Sequence, residues 1–224
     1  MLSIHRKILQ RFALNSFVSG DFKRAENYFR RLKDADPDSM GADHNMGLVK
    51  MGLKQYGSAE KYLLRDLALF GETYLRSRTL GDLYYIWGKA DKAGKLYSEA
   101  LALEESDADE VLLRERIDIC SRPDAFADVE KSHRGFEEAV RLQKAGDAVA
   151  ARAALEAAVR HDPTNFLAWN NLGSILLEDS ATCADAARCF SRARTYSALP
   201  SIVNNLAEAR KRAGKGDGGE RSVS

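Results

Sequence analysis

The stretch GDFKRAENYFRRLKDADP, Gly20 to Pro37, decides how this chain is read. It returns in outline as GKADKAGKLYSEALALEE from Gly88 and as GDAVAARAALEAAVRHDP from Gly146. Each copy opens with Gly and has Ala five residues on. A bulky apolar residue follows four later, and a small or apolar one three after that. In two copies Pro stands five residues further along. Apolar residues spaced by three and four share one face of a helix. Gly at the start suits the left-handed turn that ends a preceding helix, and Pro cannot continue the helix it follows.

Upstream of each copy lies a second helical pattern, with a small residue seven before the Gly. If the Gly is numbered position 15, units start at Arg6, Met40 and Tyr74, each 34 apart, and again at Ser132 and Phe166, also 34 apart. Position 8 is then Ala13, Gly47, Gly81, Ala139 and Gly173, with Ala207 in a final helix. Position 20 is Ala25, Ala59, Ala93, Ala151 and, after one inserted residue, Ala186. Small side chains at both places let the two helices of a unit cross closely. Position 24 (Phe29, Leu63, Tyr97, Leu155, Phe190) is expected to fill the space between successive units. Three residues depart from the pattern: Lys54 at position 15, Asp66 at position 27 and Glu138 at position 7.

The interval from Tyr74 to Ser132 is 58, about ten short of two periods. ADEVLLRERIDIC reads as one helix, Asp109 to Cys120, stopped by SRPD; DAFADVEKSHRGFEEAVRLQKAG then reads as one long helix. The expected fold is all-α, a right-handed superhelical solenoid of antiparallel helix pairs with about 12 helices. Three repeats and a degenerate helix would fill residues 1–121. Two repeats and a capping helix from Pro200 to Ala213 would fill 122–214. The Gly-rich, polar tail 215–224 is expected to be disordered.

Composition agrees. The chain has 224 residues, 34 Lys and Arg, 33 Asp and Glu, and a net charge of +1, which argues against a strongly basic nucleic-acid binder. Apolar residues make up 45% and charged ones 30%, as in a folded chain. Nine Ala lie between Ala139 and Ala158, and all four Pro sit where helices should begin or end. The longest apolar run, Leu83–Trp87, is far too short to span a membrane. MLSIHRKILQRF has no continuous apolar stretch of the kind a secretory signal carries. Three Cys cannot form a disulfide framework, so a reducing, cytoplasmic setting is expected.

The 34-residue period with small residues at positions 8 and 20 resembles the tetratricopeptide repeat family. The best matches are LGDLYYIWGKADKAGKLYSEALAL from Leu80 and WNNLGSILL from Trp169, and the resemblance covers roughly residues 6–107 and 132–213. It implies a groove lined by the first helix of each pair, at positions 2, 5, 9, 12 and 13. Carried over, Phe17, Val18, Leu48, Met51, Leu75, Tyr85 and Ile86 would line an apolar N-terminal groove, with His44, Arg78 and Asp82 among them. Phe17, Met51 and Tyr85 are expected as exposed anchors. Asn170, Ser174, Glu178, Asn204, Glu208, Lys211 and Arg212 would line a polar C-terminal groove.

Asn45, Asn171 and Asn205 all fall at position 6, which resembles the asparagine ladder of one branch of the family. The clamp by which chaperone-binding members hold two carboxylates would fall on Gln10, Leu14, Asn45, Leu75 and Thr79, where only Asn45 matches.

Catalytic chemistry is scarce. His5, His44, His133 and His161 are scattered, and Cys183 and Cys189 are six apart, so neither zinc spacing nor a cofactor motif emerges. Cys120 and His133 as nucleophile and base weigh less than a small helix residue and a surface His. Residues 1–33 carry +6 and residues 99–110 carry six acids without a base. The first helix has Ile4, Ile8, Leu9 and Phe12 on one side, expected to pack on the second helix; lying on an anionic membrane is the alternative. The functional expectation is a non-catalytic scaffold that binds a protein or peptide in its groove, chaperone-like for an apolar segment in one form. The alternatives are a substrate-recruiting module of an enzyme complex, or a membrane- or nucleic-acid-associated protein acting through its first helix.

Overall fold

A computed structural model describes residues 4–103 and 107–216 of the chain. Their regular structure is twelve α-helices and one 3-10 turn, with no strand among the described residues. Residues 217–224 of the tail, expected to be disordered, lie outside the described residues, as does the acidic segment 104–106.

The chain divides into two compact units, Met1–Leu103 and Glu104–Ser224. The first holds α1 (Ile4–Val18), α2 (Phe22–Ala35), α3 (Ala42–Gly52), α4 (Tyr56–Phe70), α5 (Tyr74–Ile86) and α6 (Ala90–Ala102). Odd and even helices pair as α1 with α2, α3 with α4, and α5 with α6; α2 also packs on α3, and α4 on α5. Each pair is joined by a turn of three residues, so its helices must run antiparallel. Gly20 and Gly88 make two of these turns in the left-handed region, at φ 76° and 79°. Lys54 makes the third at φ 59°, so the departure seen at position 15 changes the residue and keeps the turn. Asp21 and Thr73 cap the starts of α2 and α5 by accepting from the backbone N–H of Arg24 and Arg76.

The second unit holds α7 (Asp107–Ser121), α8 (Pro123–Lys144), α9 (Ala148–His161), α10 (Phe166–Leu176), α11 (Cys183–Tyr196) and α12 (Pro200–Gly216). Here α8 pairs with α9, α10 with α11, and α12 lies on α11. The 3-10 turn Ser180–Thr182 absorbs the inserted residue before α11. The expected stop before Pro123 is present, and Pro123 opens α8 at its first turn, where its missing N–H costs nothing.

The degenerate helix α7 packs on α8 and α11. Tyr196 donates to Glu115 at 2.8 Å, and Arg116 donates to the Thr164 hydroxyl at 3.3 Å. The units accordingly divide at Leu103, where the sequence pattern had placed the joint after residue 121. Contacts formed far along the chain hold α7, and spacing does not reveal those.

All five position-20 alanines are fully buried. Position 24 packs differently from expectation. A Cβ on Gly47 would lie 2.5 Å from Leu63, one on Gly81 2.7 Å from Tyr97, and one on Gly173 2.8 Å from Phe190. The large side chain at position 24 therefore sits on the small residue at position 8 of its own unit. Helix α1 also departs from expectation. Ile4 is 79% exposed, and Ile8 and Phe12 remain exposed beside it; Ala13 and Ser16 form the buried side. Phe12 stacks on Tyr28 of α2 at 5.8 Å.

Candidate functional site: two clefts along the first unit

Each anticipated lining residue has a definite place. Tyr85 is 1% exposed, with its ring edge-on to Tyr97 at 5.9 Å. It is core, and its role as an exposed anchor is corrected: its ring packs on that of Tyr97, which fills the space the small Gly81 opens. Phe17 is half-buried and edge-on to Phe22 at 5.5 Å, packed against the cluster of Ala13, Ala25, Phe29, Met46 and Val49. Met51 and Leu48 are half-buried on α3. Arg78 donates to the Tyr74 hydroxyl at 2.8 Å and stands 4.0 Å from Asp82, which accepts from the Tyr97 hydroxyl at 2.8 Å. The two charged groove residues thus serve internal contacts, along α5 and from α5 to α6.

In the second unit Asn205 donates its amide to the Asn170 side chain at 3.1 Å, tying α12 to α10. Ser174 donates to the Asn170 carbonyl at 3.0 Å, Asn171 is half-buried and Asn204 is exposed. The ladder arrangement is therefore partly spent on helix-to-helix contact.

Two clefts open at the other end of the helices, near their N-termini. One, of about 410 Å³, is lined by Arg6 and Gln10 of α1, Phe29 and Leu32 of α2, Met40, and Asn45 of α3, among others. Arg6 crosses its wall to Asp36 at 2.7 Å. The other, of about 230 Å³, is lined by Met40, Gly41, His44, Asp66, Thr73, Leu75 and Arg76. Met40 belongs to both, so they adjoin, and together they run from α1 past α3 to α5.

The second cleft is built on a buried charge. Asp66 is 1% exposed and accepts from Arg76 Nε at 2.8 Å through Oδ2. His44 Nδ1 stands 3.7 Å from the same oxygen. Arg76 lies over the Phe70 ring, and its Nη1 reaches the carbonyls of Phe70 and Gly71 and the Thr73 hydroxyl at 3.4–3.5 Å. Asp66 Oδ1 is buried with no hydrogen-bond partner. Burial pushes the His44 imidazole below its usual range, with Asp66 opposing and Arg76 adding to the fall. The imidazole is thus neutral at pH 7.

Only His44 of this cluster was anticipated as a site residue, with Leu75 among the lining positions. Asp66 carried a signal all the same. The equivalent places in other units are Leu32, Ala100, Ala158 and Ala193, and a carboxylate there must be buried by position. Arg76 and Met40 carried none, because an exposed-looking Arg near a helix start is ordinary.

Among the described residues no group of three or more His, Cys, Asp and Glu is placed to hold a metal ion. Cys120, Cys183 and Cys189 are all buried. Burial pushes the Cys189 thiol up to about 11, which keeps it protonated and unreactive. No helix among the described residues is long and apolar enough to cross a membrane.

Paired helices on a 34-residue period, closed by left-handed turns and locked by small residues, define an all-α fold of repeated antiparallel helix pairs, similar to that of tetratricopeptide repeats. Solved structures similar to this chain include YrrB, described as a TPR protein with an unusual peptide-binding site (16% identical, TM-score 0.42, covering 90% of this chain and 89% of that one). The TPR2AB domain of yeast Sti1 in complex with pHSP90 is 15% identical with a TM-score of 0.46, covering 96% and 93%. MamA from Desulfovibrio magneticus is 14% identical with a TM-score of 0.48, covering 88% and 97%. At these identities the fold assignment rests on the helix-pair geometry. No family model and no curated protein sequence matches the chain.

Proposed function

We propose that the chain is a non-catalytic scaffold that binds an extended protein segment or peptide along the first unit. The observation that carries this reading is the pair of adjoining clefts sharing Met40, which cross α1, α3 and α5 with apolar rims and polar walls. Met40 is 77% and Leu75 is 56% exposed, the kind of adaptable apolar contact that binding surfaces use. One concrete form of this role is to hold an apolar segment as a chaperone does; another is to recruit a substrate to a separate enzyme. Selection of peptides on the full chain, followed by mapping of amide shifts, tests the proposal. Selected peptides are expected to shift residues of both clefts. Met40→Asp with Leu75→Asp should abolish binding at an unchanged melting midpoint. Peptides that map to the second unit, or binding that survives the double substitution, would overturn it.

A second reading has its own observation. Ile4, Ile8 and Phe12 stand exposed one turn apart on α1, beside Lys7 and Arg11. Such a stripe suits an anionic membrane surface. Sedimentation with vesicles of phosphatidylserine and phosphatidylcholine, compared with Ile8→Asp, tests this directly. Equal recovery of both proteins in the supernatant removes the reading.

A further inference from the structure

We propose that the cleft at His44, Asp66, Leu75 and Arg76 is a pocket for an uncharged primary amide, as carried by an Asn or Gln side chain, which donates to Asp66 Oδ1 and accepts from Arg76. This deepens the groove reading above and rests on it for the source of the amide.

The argument starts from what the cluster leaves unsatisfied. Buried polar atoms nearly always find a partner, and a carboxylate oxygen without one costs free energy. Asp66 Oδ1 is such an atom, on a side chain that is 2% exposed and lines the cleft. The rest of the unit does not require a carboxylate there, since Ala fills the same place in three other units. Arg76 supplies a donor. Its Nε is bonded to Asp66 and its Nη1 makes only long bonds. Its Nη2 takes no hydrogen bond among the described residues. An acceptor and a donor thus stand side by side on one ion pair, and a primary amide presents one N–H and one C=O in the complementary order.

Charge selects among ligands. Asp66 and Arg76 cancel, and His44 is neutral at pH 7 because burial disfavours its imidazolium. An ammonium would satisfy Asp66 but leave a net positive charge against Arg76 in a half-buried space. A carboxylate would satisfy Arg76 and meet the Asp66 oxygen as a like charge. An amide satisfies both without adding charge. The cleft of about 230 Å³ suits one side-chain end, with Met40 and Leu75 to cover the methylenes. Since Oδ1 lies below the accessible surface, a wall must yield on entry, and the flexible Met40 chain is the adaptable one.

The test uses three small probes of similar size on the full, isotope-labelled chain: propionamide, propionate and propylammonium. Propionamide is expected to give saturable amide shifts at His44, Asp66, Leu75 and Arg76, at least about tenfold tighter than either charged probe. Asp66→Ala should weaken propionamide by about tenfold or more, with a lower melt because Arg76 loses its partner. If that variant unfolds, Asp66→Ala with Arg76→Leu removes both charges and should lose the same binding. Propylammonium binding as tightly as propionamide would overturn the proposal, as would shifts that fail to saturate at these residues. Either failure leaves the groove reading standing, because that is judged by peptide capture and the Met40 and Leu75 variants.

Discussion

Gly81 lies against the buried ring of Tyr97, and this contact shows how narrow the tolerance at position 8 is. A methyl added there would meet ring carbons at 2.7 Å, and a fully buried ring has no room to retreat. Gly81→Ala is therefore expected to cost about 1–3 kcal/mol, read as a lower melting midpoint. An unchanged midpoint would show that the α5–α6 pair relaxes freely. Lys54 offers the opposite sign. It holds φ 59° in a turn where three other units use Gly. Lys54→Gly relieves left-handed strain but frees the unfolded chain, and the balance is expected to stabilise by about 0.5–1 kcal/mol. Denaturant titration reads this directly, and a lower stability would refute it. Tyr85 belongs to the same scale. Tyr85→Ala should cost about 3–5 kcal/mol, as for a buried ring, and should act through folding and not through binding alone.

At the scale of elements, polar side chains fasten helices that the small residues bring together. Asp43 on α3 is held by Lys33 of α2 and by Arg65 of α4 at 2.6 Å. Asn165 donates to Ser132 at 3.1 Å, joining the start of α10 to α8. Asp66, Arg76 and His44 join α4, α5 and α3 in the same manner, and this cluster makes stability depend on pH. The folded state disfavours the protonated His44, so its pKa lies below the ordinary 6.5. Stability is therefore complete above pH 6.5 and falls as pH drops from there through the lowered folded value. Between pH 7.5 and 5 the wild type should lose stability that His44→Asn retains. Equal slopes for both proteins would show that His44 is not the group responsible. Below about 4.5 a separate loss is expected. The Tyr84 hydroxyl bond, with Lys92, holds Glu60 below its usual carboxylate range, and protonation forfeits that stabilisation.

At the scale of the whole chain, α7 decides where cooperativity should break. In a repeat array each element depends on the neighbours it touches. Helix α7 touches α8 and α11, with Leu112 and Leu113 fully buried. Hydrogen exchange should therefore give the amides of α7 the same opening free energy as α8–α11. Amides of α7 that exchange together with α5 and α6 instead would place the break after residue 121.

The sequence by itself determined the helices, their pairing and the repeat length. These follow from local facts: Ala at position 20, Gly or a substitute in the left-handed turn, Pro after the second helix, each acting within one unit. The five buried alanines and the Lys54 turn show that the pattern held even where the residue type changed. Only the tertiary structure decided which residues face outward. Tyr85, Met40 and Leu75 occupy sites on first helices or their entry turns. Yet the first is core and the others are exposed, because Tyr85 lies on the side of α5 that packs against Tyr97 of α6. The partners of α7 were equally hidden, since they lie as far as 81 residues away. Asp66 sits between the two cases. Its sequence position required burial, but only the fold shows Arg76 and His44 beside it and one oxygen left without a donor.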